Sequence, residues 1–321
     1  MRSVPFRTFL LCLLASSIHI SAYASDLKDF AGSWALKLGD RNLFIFTLSP
    51  SADCVTGTLD RPSSMSATNS LYANITNTSR RDLITKCHFA DAILHITTQN
   101  SGNPKDEDSY AITIQGNQAQ FVEDDIPPGE PYIPEPVKLT RVAPETKVST
   151  DWEPNRAYTL TDSDTSNAEM KAIYDQDQHD RMTQNINWKV VGKSDAERRE
   201  KTRKLLADGA LHTGKDYEEA AFVFQHGDSA QDYLLAHTLA MVAISKGDST
   251  AIWIAAATLD RYLETVKQQQ VFGTQYSSDP KQKWTQEPYD RTLVSDALRN
   301  QLGVPSQATQ AKQLKAYQDQ Q

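Results

Sequence analysis

The sequence predicts an α+β chain: a small, lipocalin-like antiparallel β-barrel of about eight strands, followed by an all-α antiparallel helical array. Three observations predict it. From Phe30 to Val142 the apolar residues fall in short alternating runs separated by polar, turn-rich stretches, the period-2 signature of strands. From 143 to 165 the chain is polar and interrupted by Pro144 and Pro154, as a linker is. From Ser166 onward the spacing becomes helical, with hydroxyl residues before and glycines after the periodic segments. The expected organisation is a leader at 1–24, a barrel domain at 25–142, a linker at 143–165 and a helical domain at 166–321.

The leader reads "MRSVPFRTFLLCLLASSIHISAYA", with an Arg-containing start, an apolar run and an Ala-Tyr-Ala end, the pattern of a cleaved secretory signal. The protein is therefore expected to be exported, periplasmic or secreted. Cleavage would remove Arg2 and Arg7 and no acid, taking the formal charge from -8 to -8 - 2 = -10. So acidic a chain lacks the clustered cations that nucleic-acid binding uses. No later stretch reaches the ~18 to 20 apolar residues of a membrane-spanning helix. Cys12 would leave with the leader, and Cys54 and Cys87 remain. Two cysteines in an oxidising compartment most simply form a disulfide, the alternative being two buried thiols. They are too few for a Cys-rich zinc module, and no cofactor or metal is expected.

In chain order the strands are expected at "SWALKL", "NLFIFTL", "VTGTLD", "LYANIT", "AILHITT", "SYAITIQG", "AQFVE" and "VKLTRV". "GNQ" at Gly116 to Gln118 reads as a hairpin turn, and "DDIPPGEPYIPEP" at Asp124 to Pro136 is too proline-rich to be a strand. "AYTLT" allows one short strand in the linker. Helices are expected near 166–183, 194–208, 216–226, 229–246, 249–267, 292–302 and 306–319. "SNAE" at Ser166, "SDAE" at Ser194 and "SAQD" at Ser229 each fit a capping box. Gly209, Gly227, Gly247 and Gly303 stand where helices stop. The short connections at Gly227 and Gly247 make the three helices they join antiparallel neighbours. "AIWIAAATL", Ala251 to Leu259, is apolar on every face and belongs in the core.

An up-down array brings the ends of alternate helices together. That places Asp177, Gln178 and Arg181, Gln225 and His226, His237, Asp260 and Arg261, and the turn Gln270, Gly273, Thr274 and Gln275 in one candidate cluster. A buried Asp260 needs a donor, and Arg261, Arg181 or a histidine is the expected kind. His226 or His237 beside a carboxylate has the chemistry of a general base. Successive amides around Gly273 suit an anion. Each residue has a plainer reading too: Asp177 and Arg181 as a surface i, i+4 pair, His226 as a dipole-favoured helix end, His237 as a core histidine, Asp260 and Arg261 as a structural ion pair. The chain has no HExxH, G-x-S-x-G, Walker or Rossmann motif.

"DQHDR", "AAFVFQHG", "LAHTLAMVA", "ATLDRYL" and "QQVFGTQY" together resemble an uncharacterised bacterial helical domain-of-unknown-function family with the order DQ-x-x-R, QH, A-x-x-x-DR, Q-x-x-GTQ. The resemblance covers about 166–315 and implies that Asp177, Gln178, Arg181, Gln225, His226, Asp260, Arg261, Gln270, Gly273, Thr274 and Gln275 are signature positions. It implies no reaction. "FAGSW" resembles the first-strand G-x-W of lipocalins, which implies an arginine, here Arg141, packed over Trp34. Three functions are compatible with these residues: a polar-lined pocket recognising a small or peptide-like ligand; a hydrolase or transferase using His226 or His237 with Asp260; and a structural protein-interaction module.

Overall fold

The computed structural model describes residues 26–52, 54–68, 71–115, 118–124, 135–182, 185–279 and 282–320. The leader with Cys12, turn residues Gly116 and Asn117, and most of the proline-rich stretch (125–134) lie outside them. Among the described residues ten strands lie before residue 143: β1 Gly32–Leu38, β2 Arg41–Pro50, β3 Val55–Pro62, β4 Ser66–Thr68, β5 Leu71–Ala73, β6 Ser79–Ala90, β7 Ile93–Asn100, β8 Asn103–Gln115, β9 Gln118–Glu123 and β10 Val137–Val142. Eight of them close into an antiparallel barrel in the order β1-β10-β9-β8-β7-β6-β3-β2. Closure removes the sheet edges that would otherwise pair with other chains.

Phe30, at the end of a short 3-10 helix (Leu27–Phe30), is fully buried in the barrel core cluster, and its carbonyl accepts a hydrogen bond from Trp34 Nε1 at 2.9 Å. Arg141 lies 4.1 Å over the Trp34 ring and donates to the carbonyls of Ala31 and Asp29. A side chain at Gly32 would meet Arg141 at 2.8 Å, and its φ of +116° is open only to glycine. The G-x-W and arginine arrangement expected from the first and last strands is therefore present. The centre is aromatic, with Phe46, Tyr110 and Phe121 ring centroids 5.4 to 5.7 Å apart.

One expected strand is corrected. "LYANIT" supplies β5, which lies outside the barrel in a separate sheet with β4 and β11 (Tyr158–Thr159). Its place is taken by β6, "SRRDLITKCHFA". The alternation in β6 is hidden because it carries charge inward. Asp82 is 1% exposed and pairs in register with Leu59, and Arg80 joins it at 3.2 Å and Asp106 at 2.5 Å. Charges that neutralise one another inside a barrel erase the apolar half of the period-2 signal.

Cys54 and Cys87 form a disulfide, 33 residues apart, between the start of β3 and the middle of β6. Closing a loop of that length restricts the unfolded chain by an amount worth about 3–4 kcal/mol. Cys54→Ser with Cys87→Ser is expected to lower the unfolding free energy by about that much in denaturant titrations; an unchanged midpoint would contradict it.

Residues 143–165 pack closely. Trp152 and Tyr158 belong to the barrel core cluster, their rings 5.1 Å apart. The short strand expected at "AYTLT" is β11, paired with β5. The same segment reaches the helices: Ala157 N donates to Ser245 O at 2.7 Å, and buried Lys246 pairs with buried Asp162.

The helices are α1 Ala168–Met182, α2 Trp188–Ala207, α3 Gly214–Gln225, α4 Ala230–Ser245, α5 Ala251–Thr265, α6 Asp296–Gln301 and α7 Gln307–Asp319. α3, α4 and α5 pack in succession, and Ala220, Ala221, Ala236, Ala240, Ala243 and Ala251 are fully buried between them. Residues this small allow close helix approach. Of the three expected capping boxes, Ser229 does cap α4, accepting from Asp232 N. The first cap is Asn167 instead of Ser166, through a bond from Met170 N at 2.9 Å. Ser194 lies inside α2, which begins earlier under an Asn187 cap. α3 begins two residues before its expected start, with a box made by Thr213 and Asp216. A two-stranded hairpin, β12 Ser277–Asp279 and β13 Gln282–Thr285, was not foreseen because its strands carry almost no apolar residues.

Candidate functional site

The expected single cluster resolves into two hydrogen-bonded groups. The first is centred on Asp177, fully buried in α1. Arg181, one turn on, donates to its carboxylate at 3.0 Å, Gln178 donates at 2.8 Å, and His226 Nδ1 lies 3.1 Å away. Helical periodicity alone puts Asp177 and Arg181 on one face; burial of that face is what separates them from an ordinary surface pair. α2 adds what the sequence did not reveal. Arg181 reaches Asp195 at 2.7 Å, and Arg198 bonds Asp195 at 2.7 Å and Asp180 at 2.8 Å. Arg198 Nε stands 3.5 Å from Asp177. Arg199 holds the His226 carbonyl at 2.8 Å, fixing that end of α3.

Burial opposes the Asp195 charge, but hydrogen bonds from Arg181 and Arg198 outweigh it and hold its carboxyl below the usual carboxylate range. The hydrogen bond from Arg198 likewise lowers Asp180. Beside this lattice is a cleft of about 330 Å³; among the described residues its polar lining is Gln176, Asp180, Asn187, Ser194 and Arg198 and its apolar lining Val190 and Val191. His226 is partly exposed, and its Nε2 lies 3.4 Å from the Gln225 amide.

The second group is built around Asp260, also fully buried. One carboxylate oxygen accepts from Val271 N and Phe272 N at 2.8 and 3.0 Å; the other accepts from Thr274 N and Oγ1 at 2.9 and 2.8 Å. The amides around Gly273 do hold an anion, and that anion is the chain's own carboxylate. Arg299, fully buried on α6, takes the same loop's carbonyls at Val271 and Phe272. Gln270 and Gln275 close the loop on itself, and Gln275 ties it to Ala257 O at 3.1 Å. Gly273 has φ +71°, and a side chain there would meet Tyr289 and Gln310 at 2.6 Å. Only glycine fits.

Three expected pairings are thereby corrected. Among the described residues, all four hydrogen bonds of Asp260 go to the loop, none to a histidine or to Arg181. Arg261 does not pair with it, and its buried Nε has no hydrogen-bond partner. His237 braces α4 on α5 by donating from Nδ1 to Ala255 O at 2.9 Å. The hydrogen bonds described run within each group and do not join the two.

Compared with family models, curated proteins and solved structures, the chain has no match. Its chemistry is read from its own geometry. Among the described residues no His, Cys, Asp and Glu group is arranged to hold a metal ion, and no helix is long and apolar enough to cross a membrane. Sequence reasoning missed Asp195, Arg198 and Arg299. "SDAERREK" contains the i, i+3 spacing of Asp195 and Arg198, but on so charged a helix that spacing looks like a solvated face.

A third carboxylate is legible only from burial. Glu219, on α3, is 2% exposed with Oε2 unpartnered, and burial pushes its carboxyl from 4.5 up to about 7 against the opposing pull of Lys215. The folded chain thus holds this proton more tightly than the unfolded chain does. The associated stabilisation is fully present below about pH 4.5 and lost as pH rises through about 7. Glu219→Gln is expected to shrink the stability difference between about pH 5 and pH 8 by about 1–3 kcal/mol; parallel unfolding curves for variant and wild type would refute it.

Proposed function

We propose that this chain is an exported binding protein whose helical region recognises a small or peptide-like ligand in the cleft between α1 and α2. The observation that carries the reading is the cleft itself, which pairs two valines with the ends of a charged lattice held rigid by buried Asp177 and Asp195. Rigidly held polar groups around an open recess are what ligand recognition requires. The leader and the Cys54–Cys87 bond support export. The order DQ-x-x-R, QH, A-x-x-x-DR, Q-x-x-GTQ supports membership of the helical family it resembles. In this reading Asp260 and the Gly273 loop support the fold, and the first group serves the ligand.

The test is a thermal-shift screen of dipeptides and tripeptides, followed by calorimetric titration of wild-type and Val190→Arg protein. Val190 is 59% exposed, so the variant fills the cleft without disturbing the core. At least one peptide is expected to saturate the wild type and to bind the variant about tenfold or more weakly, a change of ~1.4 kcal/mol. Absence of saturable binding, or equal binding by both proteins, overturns the reading.

A hydrolase or transferase is the second reading, favoured by the contact between His226 Nδ1 and Asp177, which leaves Nε2 as the basic nitrogen. Turnover of any bound peptide by wild type and its loss in His226→Ala would select it over binding alone.

A further inference from the structure

The hairpin of β6 and β7 carries two histidines on the outer face of the barrel. Its turn is Asp91 and Ala92, both at positive φ, 51° and 62°, the conformation that a two-residue type I′ turn requires. So short a turn fixes the register: Ala90 faces Ile93, Phe89 faces Leu94 and His88 faces His95. Leu94 and Ile96 point into the core, 0% and 2% exposed, so His95 between them points out. Exposed His88 lies directly across from it, with the ring centroids 6.3 Å apart and the ring planes 32° from parallel.

A third side chain fixes one of the rings. Asp124, just past β9, reaches over β8, where the residue in register with His95 is only Ala111, and its carboxylate stands 2.6 Å from His95 Nδ1. A carboxylate accepts, so the proton is on Nδ1 and Nε2 keeps its lone pair. Histidines that ligate metals are held in this way, by a carboxylate on the nitrogen that faces away from the ion. Lys86, two residues before His88 on the same strand, is paired with Glu107 at 2.9 Å, which offsets the repulsion it would exert on a cation here.

Geometry narrows the class of ion. Among the described residues no group of three or more His, Cys, Asp or Glu side chains could hold a metal, so a site on this hairpin rests on two histidines, with water completing the shell. An ion ~2.0–2.1 Å from one nitrogen of each ring, at a tetrahedral angle, brings the centroids to about 5 Å. That is a closure of about 1 Å, which a rotamer adjustment of exposed His88 supplies. Imidazole suits copper, nickel and zinc, whereas calcium and magnesium take oxygen ligands.

We propose that His88 and His95 form a surface site for a divalent copper, nickel or zinc ion, with Asp124 as the positioning residue that orients His95. This site is separate from the helical cleft and does not depend on the reading given for it.

The experiment is calorimetric titration of the full chain, produced without an oligohistidine tag, with Cu²⁺, Ni²⁺ and Zn²⁺ each alone. One-to-one binding is expected, tightest for Cu²⁺. His88→Ala and His95→Ala, both on the barrel surface, are each expected to weaken it about tenfold or more while the far-ultraviolet circular dichroism stays unchanged. Asp124→Asn, at a side chain 41% exposed, leaves both ligands in place and is expected to weaken binding about tenfold. His179→Ala, at an exposed histidine of α1, is expected to leave it unchanged. The proposal is overturned if none of the three ions saturates, if His88→Ala, His95→Ala or Asp124→Asn binds as tightly as the wild type, or if His179→Ala loses the binding, which would place the ion on the helices.

Discussion

Asp260→Ala is expected to destabilise the protein by about 3–5 kcal/mol, the range for removing one member of a buried, fully bonded charged group. The carboxylate receives four hydrogen bonds from a loop whose carbonyls are held by Arg299. Its loss leaves three backbone amides and a hydroxyl without an acceptor in a space that excludes water. Asp260→Asn keeps the shape but turns an amide group toward donors at one oxygen, and is expected to cost about 2–3 kcal/mol. Thr274→Val removes only the hydroxyl and is expected to cost about 1 kcal/mol. The graded series is read from urea unfolding midpoints at constant slope. A loss below about 1 kcal/mol for Asp260→Ala would mean that the loop is held by packing alone. Such a loss of stability accompanies every functional reading of this chain. It is binding to Val190→Arg, and not the stability of Asp260→Ala, that separates a ligand cleft from a bracing lattice.

Asp177→Ala is expected to have the other large effect, about 3–4 kcal/mol, because Arg181, Arg198 and His226 all face the vacated position and one turn of α1 loses its tie to α2 and α3. Lys171→Ala serves as the control. Its pair with Asp175 has the same i, i+4 spacing, but both side chains are more than half exposed, and no resolvable loss of stability is expected. A double-mutant cycle on Asp177 and Arg181 should return a coupling above about 1 kcal/mol, and a value near zero would return the pair to the surface class. Asp195 adds an acid limb. Its folded value is depressed, so its contribution is present above about pH 4 and lost as pH falls further. Asp195→Asn should flatten the acid side of the stability profile.

Much of the fold is legible because local chemistry and burial agree. Trp34, Gly32 and Arg141 announce the closed end of the barrel, and the Gly227 and Gly247 connections announce the antiparallel run from α3 to α5. The misreadings fall where charge is buried. β6 hides its register behind Arg80 and Asp82, and α2 hides its inner face behind Asp195 and Arg198. "LYANIT" has the alternation of a barrel strand, yet β5 pairs with β11, a contact 85 or more residues away in sequence that no local pattern encodes.

The sequence alone singled out Asp177, Arg181, His226, Asp260 and the Gly273 turn as polar groups that need partners wherever they are buried. It also left Cys54 and Cys87 as the two cysteines available to each other. Tertiary structure decided the pairings. Asp260 turned to its own following loop instead of Arg261, His226 turned to Asp177, and His237 turned to a backbone carbonyl. The physical reason is that burial fixes the demand for a hydrogen bond at each residue, whereas its supply depends on which distant backbone amides and guanidinium groups the packed helices bring within about 3 Å.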